Sequence, residues 1–275
     1  MPLLHVTAVH HVTPGVVRVR FTGDGLDDFP TWPDQQLKLL FPRDGHPVPD
    51  LRATPDDRYG MSWYQAYQAI PEPERPWMRS YTVRAHHPDR QEIDVDFVLH
   101  PDAGPATRWA ASARPGDTLG RYGPSAAYHK PLGDFDWLLL AGDETAVPAI
   151  ASHLAALPRG ARAVVRVEVR DAAEEQPLDT DAEVDLRWVH RGGTPAGRGT
   201  ALLDAVRATE FPAGSPVAWL AGEAGVVRSL RRHLVDDRGL DKRRIDFTGY
   251  WRLALTQDDA PTDEDLAEAQ ERVAE

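Results

Sequence analysis

The chain has no cysteine. That absence removes disulfides, thiolate metal sites and cysteine nucleophiles together. Lysine is scarce as well, with Lys38, Lys130 and Lys242 the full set in 275 residues. No run of about 18 apolar residues occurs, so no membrane-spanning helix is expected. The opening Met1-Pro2-Leu3-Leu4-His5 lacks a basic segment followed by an apolar one, so no signal peptide is expected. Positive charge is in deficit, with a formal net charge of −12. Such a surface repels nucleic acid and anionic bilayers, which argues against both as main partners. A cytoplasmic monomer without nucleic-acid partner, membrane insertion or bound metal is the expectation.

What is present falls into two halves. Leu3–Val12 and Val16–Phe21 are β-rich runs split by Thr13-Pro14-Gly15, a turn signal. Further strands are expected at Gln36–Phe41, Arg79–Ala85, Ile93–His100 and Asp117–Tyr122. In the segment after Gln91, Ile93, Val95, Phe97 and Leu99 alternate with Asp94 and Asp96, the period-2 pattern of a half-buried strand. Residues 44–77, rich in Pro, Asp, Tyr and Trp, read as a long loop or small lid. Strands with this turn punctuation predict an antiparallel barrel or sandwich.

The character changes near 131–136. Trp137–Ala141 is a short continuous apolar run, the mark of a buried parallel strand. Expected strands at Ala163–Val169, Leu186–His190, Val217–Ala221 and Arg244–Tyr250 then alternate with helices at Ala146–Leu157, Thr200–Thr209 and Val226–Val235. That alternation predicts a doubly wound α/β domain. The division is therefore an N-terminal β-barrel at 1–132, an α/β domain at 133–252 and an acidic tail at 253–275, the tail a surface helix or a disordered end.

Five segments could carry chemistry, and each has a bland reading beside the functional one. Arg79-Ser80-Tyr81-Thr82-Val83-Arg84 could present Arg79, Tyr81 and Val83 outward on one face, where a guanidinium fork suits a pyrophosphate and a phenol ring a flat heterocycle. It fits an edge strand with solvated arginines equally well. His100 precedes Gly104-Pro105-Ala106-Thr107-Arg108-Trp109, and Gly-Pro before a helical stretch makes a helix start that can hold an anion or nothing. Ala141-Gly142-Asp143-Glu144-Thr145 and Ala221-Gly222-Glu223 each end a parallel strand, where open α/β sheets bind ligands. Their carboxylates would repel a pyrophosphate and also suit plain helix capping. The basic run Arg228, Arg231, Arg232, Arg238, Lys242, Arg243 and Arg244 could draw an anion or could be a solvated face. Thr248-Gly249-Tyr250-Trp251-Arg252 ends the series with either a buried aromatic pair or a ring covering a ligand.

Taken together and in order, these segments resemble the siderophore-interacting protein family, FAD-dependent ferric-siderophore reductases with a ferredoxin reductase-like fold. The likeness runs from about residue 3 to residue 252 and rests on Arg79–Arg84, Phe97–Ala110, Ala141–Ile150, Val167–Leu178, Trp219–Glu223 and Gly249–Arg252. It implies a flavin domain at 1–132 and an NADPH- or NADH-binding domain at 133–252. It places Arg79 at flavin phosphate or ribityl oxygens and Tyr81 against the isoalloxazine, with Thr82 at the ring edge. Ser80, Val83, Arg84, His100, Pro105 and Trp109 belong to the same flavin segments, and Gly104, Ala106 and Thr107 are implied to hold the pyrophosphate. Asp143, Glu144 and Thr145 would line the nicotinamide side with Glu223 and Trp251 nearby, Thr82 and Glu223 being the expected catalytic residues. Arg231 and Arg252 are expected to meet the ferric siderophore in place of the lysines found in some members. A flavin suits this chemistry because a nicotinamide delivers a hydride whereas iron(III) takes single electrons. The reading that stays open beside it is an NAD(P)H reductase of free flavin or quinone, or a siderophore-binding protein without redox activity.

Overall fold

The computed structural model describes residues 2–27, 29, 31–43, 45–49, 51, 62–100, 104–124, 129–253 and 255. The chain divides into two compact units, one of Met1–His129 with Ala151–His153, the other of Lys130–Ile150 with Leu154–Glu275. Of the acidic tail, 254 and 256–275 lie outside the described residues.

The first unit is built on seven strands: β1 (Leu3–Thr13), β2 (Val16–Gly23), β3 (Gln36–Phe41), β4 (Trp77–Thr82), β5 (Ala85–His87), β6 (Glu92–Val98) and β7 (Thr118–Tyr122). Pairing is antiparallel in the order β4-β3-β7-β1-β2-β6-β5. The two outermost strands are consecutive in the chain. Val83 N–H donates to Gln35 O at 2.8 Å and Arg84 N–H to Asp94 O at 2.8 Å, so this stretch bonds to both ends of the sheet and closes it. A closed barrel has no free edge. Its interior is filled by the alternate residues the pattern picks out, among them Val6, Val19, Phe21, Leu37, Leu39, Ile93, Val95, Phe97 and Leu119.

Two helices belong to this unit, α1 (Ser62–Ala69) and α2 (Pro105–Ser112). The first lies inside the stretch expected to be loop or lid. Trp63 and Tyr67, four residues apart, are its buried face, and Trp63 stacks on Tyr122 with centroids 3.6 Å apart. One apolar pair in a Pro- and Asp-rich setting gives too little periodicity to announce a helix. Residues 52–61 of that stretch lie outside the described residues.

The second unit is a parallel sheet of β8 (Trp137–Asp143), β9 (Arg162–Val169), β10 (Glu183–His190), β11 (Pro216–Glu223) and β12 (Ile245–Trp251). The order is β10-β9-β8-β11-β12, reversing direction between β8 and β11. Helix α3 (Val147–Ala156) packs on one face, and α4 (Ala201–Arg207) and α5 (Ala224–Arg232) on the other. Both faces are thus covered, which is why β8 reads as an unbroken apolar run. No helix among the described residues is long and apolar enough to cross a membrane.

On the outer face of β2 and β6, Arg18 and Arg20 grip Asp96 and Asp94 bidentately at 2.6–2.9 Å. Burial pushes the Asp94 carboxyl up, but Arg20 and His87, 2.9 Å away, outweigh it and hold it below its ordinary value. A carboxyl lowered by folding stabilises at pH above its unfolded value, and that contribution fades as pH falls through the folded one. Asp94→Asn is therefore expected to cost roughly 1.5–3 kcal/mol at pH 7. In urea unfolding, its deficit against wild type should shrink below about pH 4; a deficit constant down to pH 3 would contradict this account.

Candidate functional site

In the first unit the polar groups gather where β4 meets α2. The β3–β4 register sets Trp77, Arg79 and Tyr81 opposite Phe41, Leu39 and Leu37, on the face that carries the barrel core. Arg79, Tyr81 and Val83 do share a face, but it is this inner one and not the outward face expected. The Tyr81 ring lies 4.4 Å from Phe97 and 6.3 Å from Phe41, and burial pushes its phenol up. Ser80 is on the other face, where it accepts from Lys38, whose ammonium burial lowers. Thr82 is buried, and Val83 is part of the core.

Gly104 caps α2 with extended backbone (φ −69°, ψ 177°) and supplies no side-chain acceptor. Pro105 has no N–H, and the first helical N–H groups, of Ala106 and Thr107, have no intrahelical partner. The Thr107 hydroxyl lies 3.1 Å from His100 Nε2. A Cβ added at Gly104 would meet none of the described residues within 4 Å. Helix α2 packs against β4, the strand that bears Arg79. A guanidinium and two N–H groups that make no intrahelical bond are a donor set that fits a pyrophosphate. The Trp109 ring, partly buried, packs against the barrel core beside Phe21, Phe41 and Phe97, 5.6–6.1 Å between centroids.

In the second unit the carboxyl ends of β8 and β11 flank the reversal of strand order, the position at which open α/β sheets bind ligands. Asp143 accepts from the Thr145 N–H at 2.9 Å and from its hydroxyl, from Glu223 N–H at 2.9 Å and from the Trp251 indole at 2.8 Å. Burial pushes the Asp143 carboxyl up against these four donors. Glu223 caps α5 by accepting from Val226 N–H at 2.9 Å. Glu144 is held bidentately by Arg191 at 2.6 and 2.7 Å, and burial with the Asp143 charge beside it pushes its carboxyl up. The capping reading thus describes Asp143 and Glu223, while Glu144 has a cation that the sequence reading did not pair with it.

Beside these strand ends lies a cavity of about 430 Å³ lined by Thr200, Glu223, Arg228, Ser229, Arg252 and Leu253 among others. Of the basic run, Arg228 lines it, and most of the rest is occupied in packing or hydrogen bonds within the protein. Arg231 lies over Phe247 at 4.5 Å and Arg238 over Phe211 at 4.4 Å. Arg244 donates to Pro216 O and Asp134 O, and Arg243 pairs with Asp241. Arg231 and Arg252, expected together, are therefore set apart: Arg252 lines the cavity and Arg231 stacks on β12. Arg191, Gly197 and Thr200 were not picked out. The signal was there in Gly192-Gly193-Thr194-Pro195-Ala196-Gly197-Arg198-Gly199, a glycine-rich stretch directly after a strand; at Gly197, a Cβ would stand 2.7 Å from Glu223 Cγ.

With this geometry in view, residues 5–128 match the siderophore-interacting FAD-binding domain and residues 135–254 the siderophore-interacting protein domain. The chain belongs to the siderophore-interacting protein family. It is similar to the ferric vibriobactin reductase of Vibrio cholerae, 30% identical over 262 residues covering 93% of this chain and 91% of that one. It is similar to the NADPH-dependent ferric-chelate reductase of Escherichia coli, 30% identical over 253 residues covering 90% and 91%. Among solved structures, a siderophore utilization protein from T. fusca superposes with a TM-score of 0.74 at 34% identity, covering 94% of this chain and 95% of that one.

Gly222 shows how tightly the strand ends are fitted. Its φ is +139°, and a Cβ there would stand 2.6 Å from an Asp143 carboxylate oxygen. Gly222→Ala is expected to destabilise the second unit by roughly 1–3 kcal/mol, the usual cost of such a backbone in a residue with a side chain. Denaturant unfolding read at the tryptophans should show it, and an unshifted midpoint would refute it.

Proposed function

We propose that the protein is an FAD-dependent ferric-siderophore reductase, drawing electrons from NADPH or NADH and releasing iron as iron(II). The observation that carries this reading is the pairing of Arg79 with the uncapped start of α2, on elements that pack together. Arg79 and the N–H groups of Ala106 and Thr107 would hold the FAD pyrophosphate, with Gly104 and Pro105 at the helix start and His100 steadying the Thr107 hydroxyl. Tyr81 and Thr82, on the strand that closes the barrel, would meet the flavin ring. When bound, FAD accepts a hydride and hands electrons on singly, which is the conversion iron(III) requires.

The donor is proposed to lie over the carboxyl ends of β8 and β11, with Thr145 and Glu223 beside its nicotinamide ribose. Its phosphates would use the cavity, where Arg228 supplies charge. Arg170, just past the end of β9, is already held by Asp171 and Glu174 at 3.0 and 2.6 Å. The acceptor is proposed to be an anionic ferric siderophore met by Arg252. The names of the V. cholerae and E. coli relatives support a ferric complex as acceptor. With a net charge of −12, attraction of an anion must act at contact range, inside roughly 8–10 Å in ordinary buffers. A monomer working in the cytoplasm is the setting proposed.

Arg79→Ala is expected to weaken FAD binding by roughly 1.5–3 kcal/mol, about ten- to a hundredfold. Flavin absorbance after dialysis reads this directly, and full retention would remove Arg79 from the site. Flavin reduction by NADPH and NADH in stopped flow, then iron(II) captured by a ferrous chelator, tests the reaction. Arg228→Ala is expected to raise the donor KM, and Arg252→Ala the KM for anionic ferric siderophores more than for neutral ones. Reduction of free flavin with no ferric complex reduced would replace this reading by a general flavin reductase.

A further inference from the structure

Three strands adjacent in sheet order, β8, β11 and β12, end on one carboxylate. Asp143 Oδ1 accepts both donors of Thr145, while Oδ2 accepts the Glu223 N–H at 2.9 Å and the Trp251 indole N–H at 2.8 Å. Two oxygens with two lone pairs each are then fully used. Gly222 leaves no gap on the same side, since even a methyl would stand 2.6 Å from Oδ2. Asp143 therefore has no acceptor position left for a ligand.

The other side of the Trp251 ring is equally constrained. A Cβ at Gly197 would lie 3.0 Å from Trp251 Cη2 and 2.7 Å from Glu223 Cγ, so the glycine backbone passes closely over both side chains. The β11–β12 register also shifts here, setting Glu223 opposite Trp251 and skipping Tyr250. Asp143 and the Gly197 backbone thus both bear on the Trp251 indole and on Glu223.

We propose that Asp143 is a positioning residue: it fixes the Trp251 indole and the Glu223 backbone at the strand ends, and so sets the geometry in which the nicotinamide is received. This rests on the donor site proposed above. Asparagine at 143 keeps the shape but turns one oxygen into an NH2 group, which must face either the Thr145 donors or the Glu223 and Trp251 donors. Donor against donor breaks one half of the latch.

The test uses the full-length, FAD-loaded protein and the single variants Asp143→Asn and Trp251→Phe with their combination. In 15N-labelled protein the Trp251 indole N–H is the signal missing from Trp251→Phe. It is expected to exchange with solvent at least tenfold faster, and to shift, in Asp143→Asn. Flavin reduction by NADPH at saturation should fall about tenfold in each single variant and no further in the combination, while the calorimetric Kd for NADP+ changes less than threefold. Multiplying losses, or an indole signal unmoved by Asp143→Asn, would overturn the proposal. Wild-type flavin that neither NADPH nor NADH reduces would instead overturn the donor reading, a result distinguishable from a wild-type rate in Asp143→Asn. Should Asp143→Asn fail to fold, Trp251→Phe alone must still show the rate loss, and a wild-type rate there sinks the proposal.

Discussion

A chain with twelve excess negative charges that is to hold anionic ligands must do so with groups in contact with them. Much of its positive charge is not free for that purpose. Arg18 and Arg20 are bound to Asp96 and Asp94, Arg191 to Glu144, and Arg170 to Asp171 and Glu174. Arg231 and Arg238 lie over aromatic rings, where the flat guanidinium packs as well as it charges. Backbone N–H groups meet the same need without adding side-chain charge. The start of α2, with glycine where a capping side chain would stand, presents such groups, and the flavin site proposed for the first unit depends on it.

The second unit solves its crowding differently. At the β8–β11 reversal the backbones of Gly142 and Ala221 come so close that a Cβ on Gly142 would stand 2.5 Å from Ala221 O. Glycines there bring the strand ends together, and Asp143 and Glu223 occupy the N–H groups that such an approach exposes. Carboxylates that looked hostile to a dinucleotide are turned into the framework by their own hydrogen bonds.

Much of the fold was legible because its signals are local. Val95 and Phe97 alternate with Asp94 and Asp96, and β6 packs the first set into the barrel core and pairs the second, also buried, with Arg18 and Arg20. The Leu138–Leu140 run needed no partner to announce a strand covered on both faces. Helix α1 was not legible, since its cohesion comes from Trp63 stacking on Tyr122, a contact 59 positions away in the chain. For the site, the order of motifs pointed to the family although each motif alone was ambiguous. Which arginine serves a ligand was hidden, because stacking on Phe247 or lining a cavity depends on strands distant in sequence. How Trp109 packs was hidden for the same reason: an aromatic beside a ligand and an aromatic against a barrel core are identical in one dimension.

The pairing of Glu144 with Arg191 bears on where a donor's phosphates can go. Asp143, Glu144 and Glu168 end β8 and β9, and burial raises all three carboxyls. Arg191 is the cation that acts on Glu144 and on Glu168, and its fork is filled by Glu144. A phosphate arriving there would have to displace a bidentate carboxylate and face the remaining acids, an exchange with little to gain. The cavity on the β11 side is lined by Arg228, with Glu223 engaged by Val226 N–H and the hydroxyls of Thr200 and Ser229 donating to Asp204 and to Gly225 O. On the donor reading proposed above, the anionic part of the donor would then lie on the Arg228 side, and the Glu144–Glu168 side would be left to uncharged groups such as ribose hydroxyls.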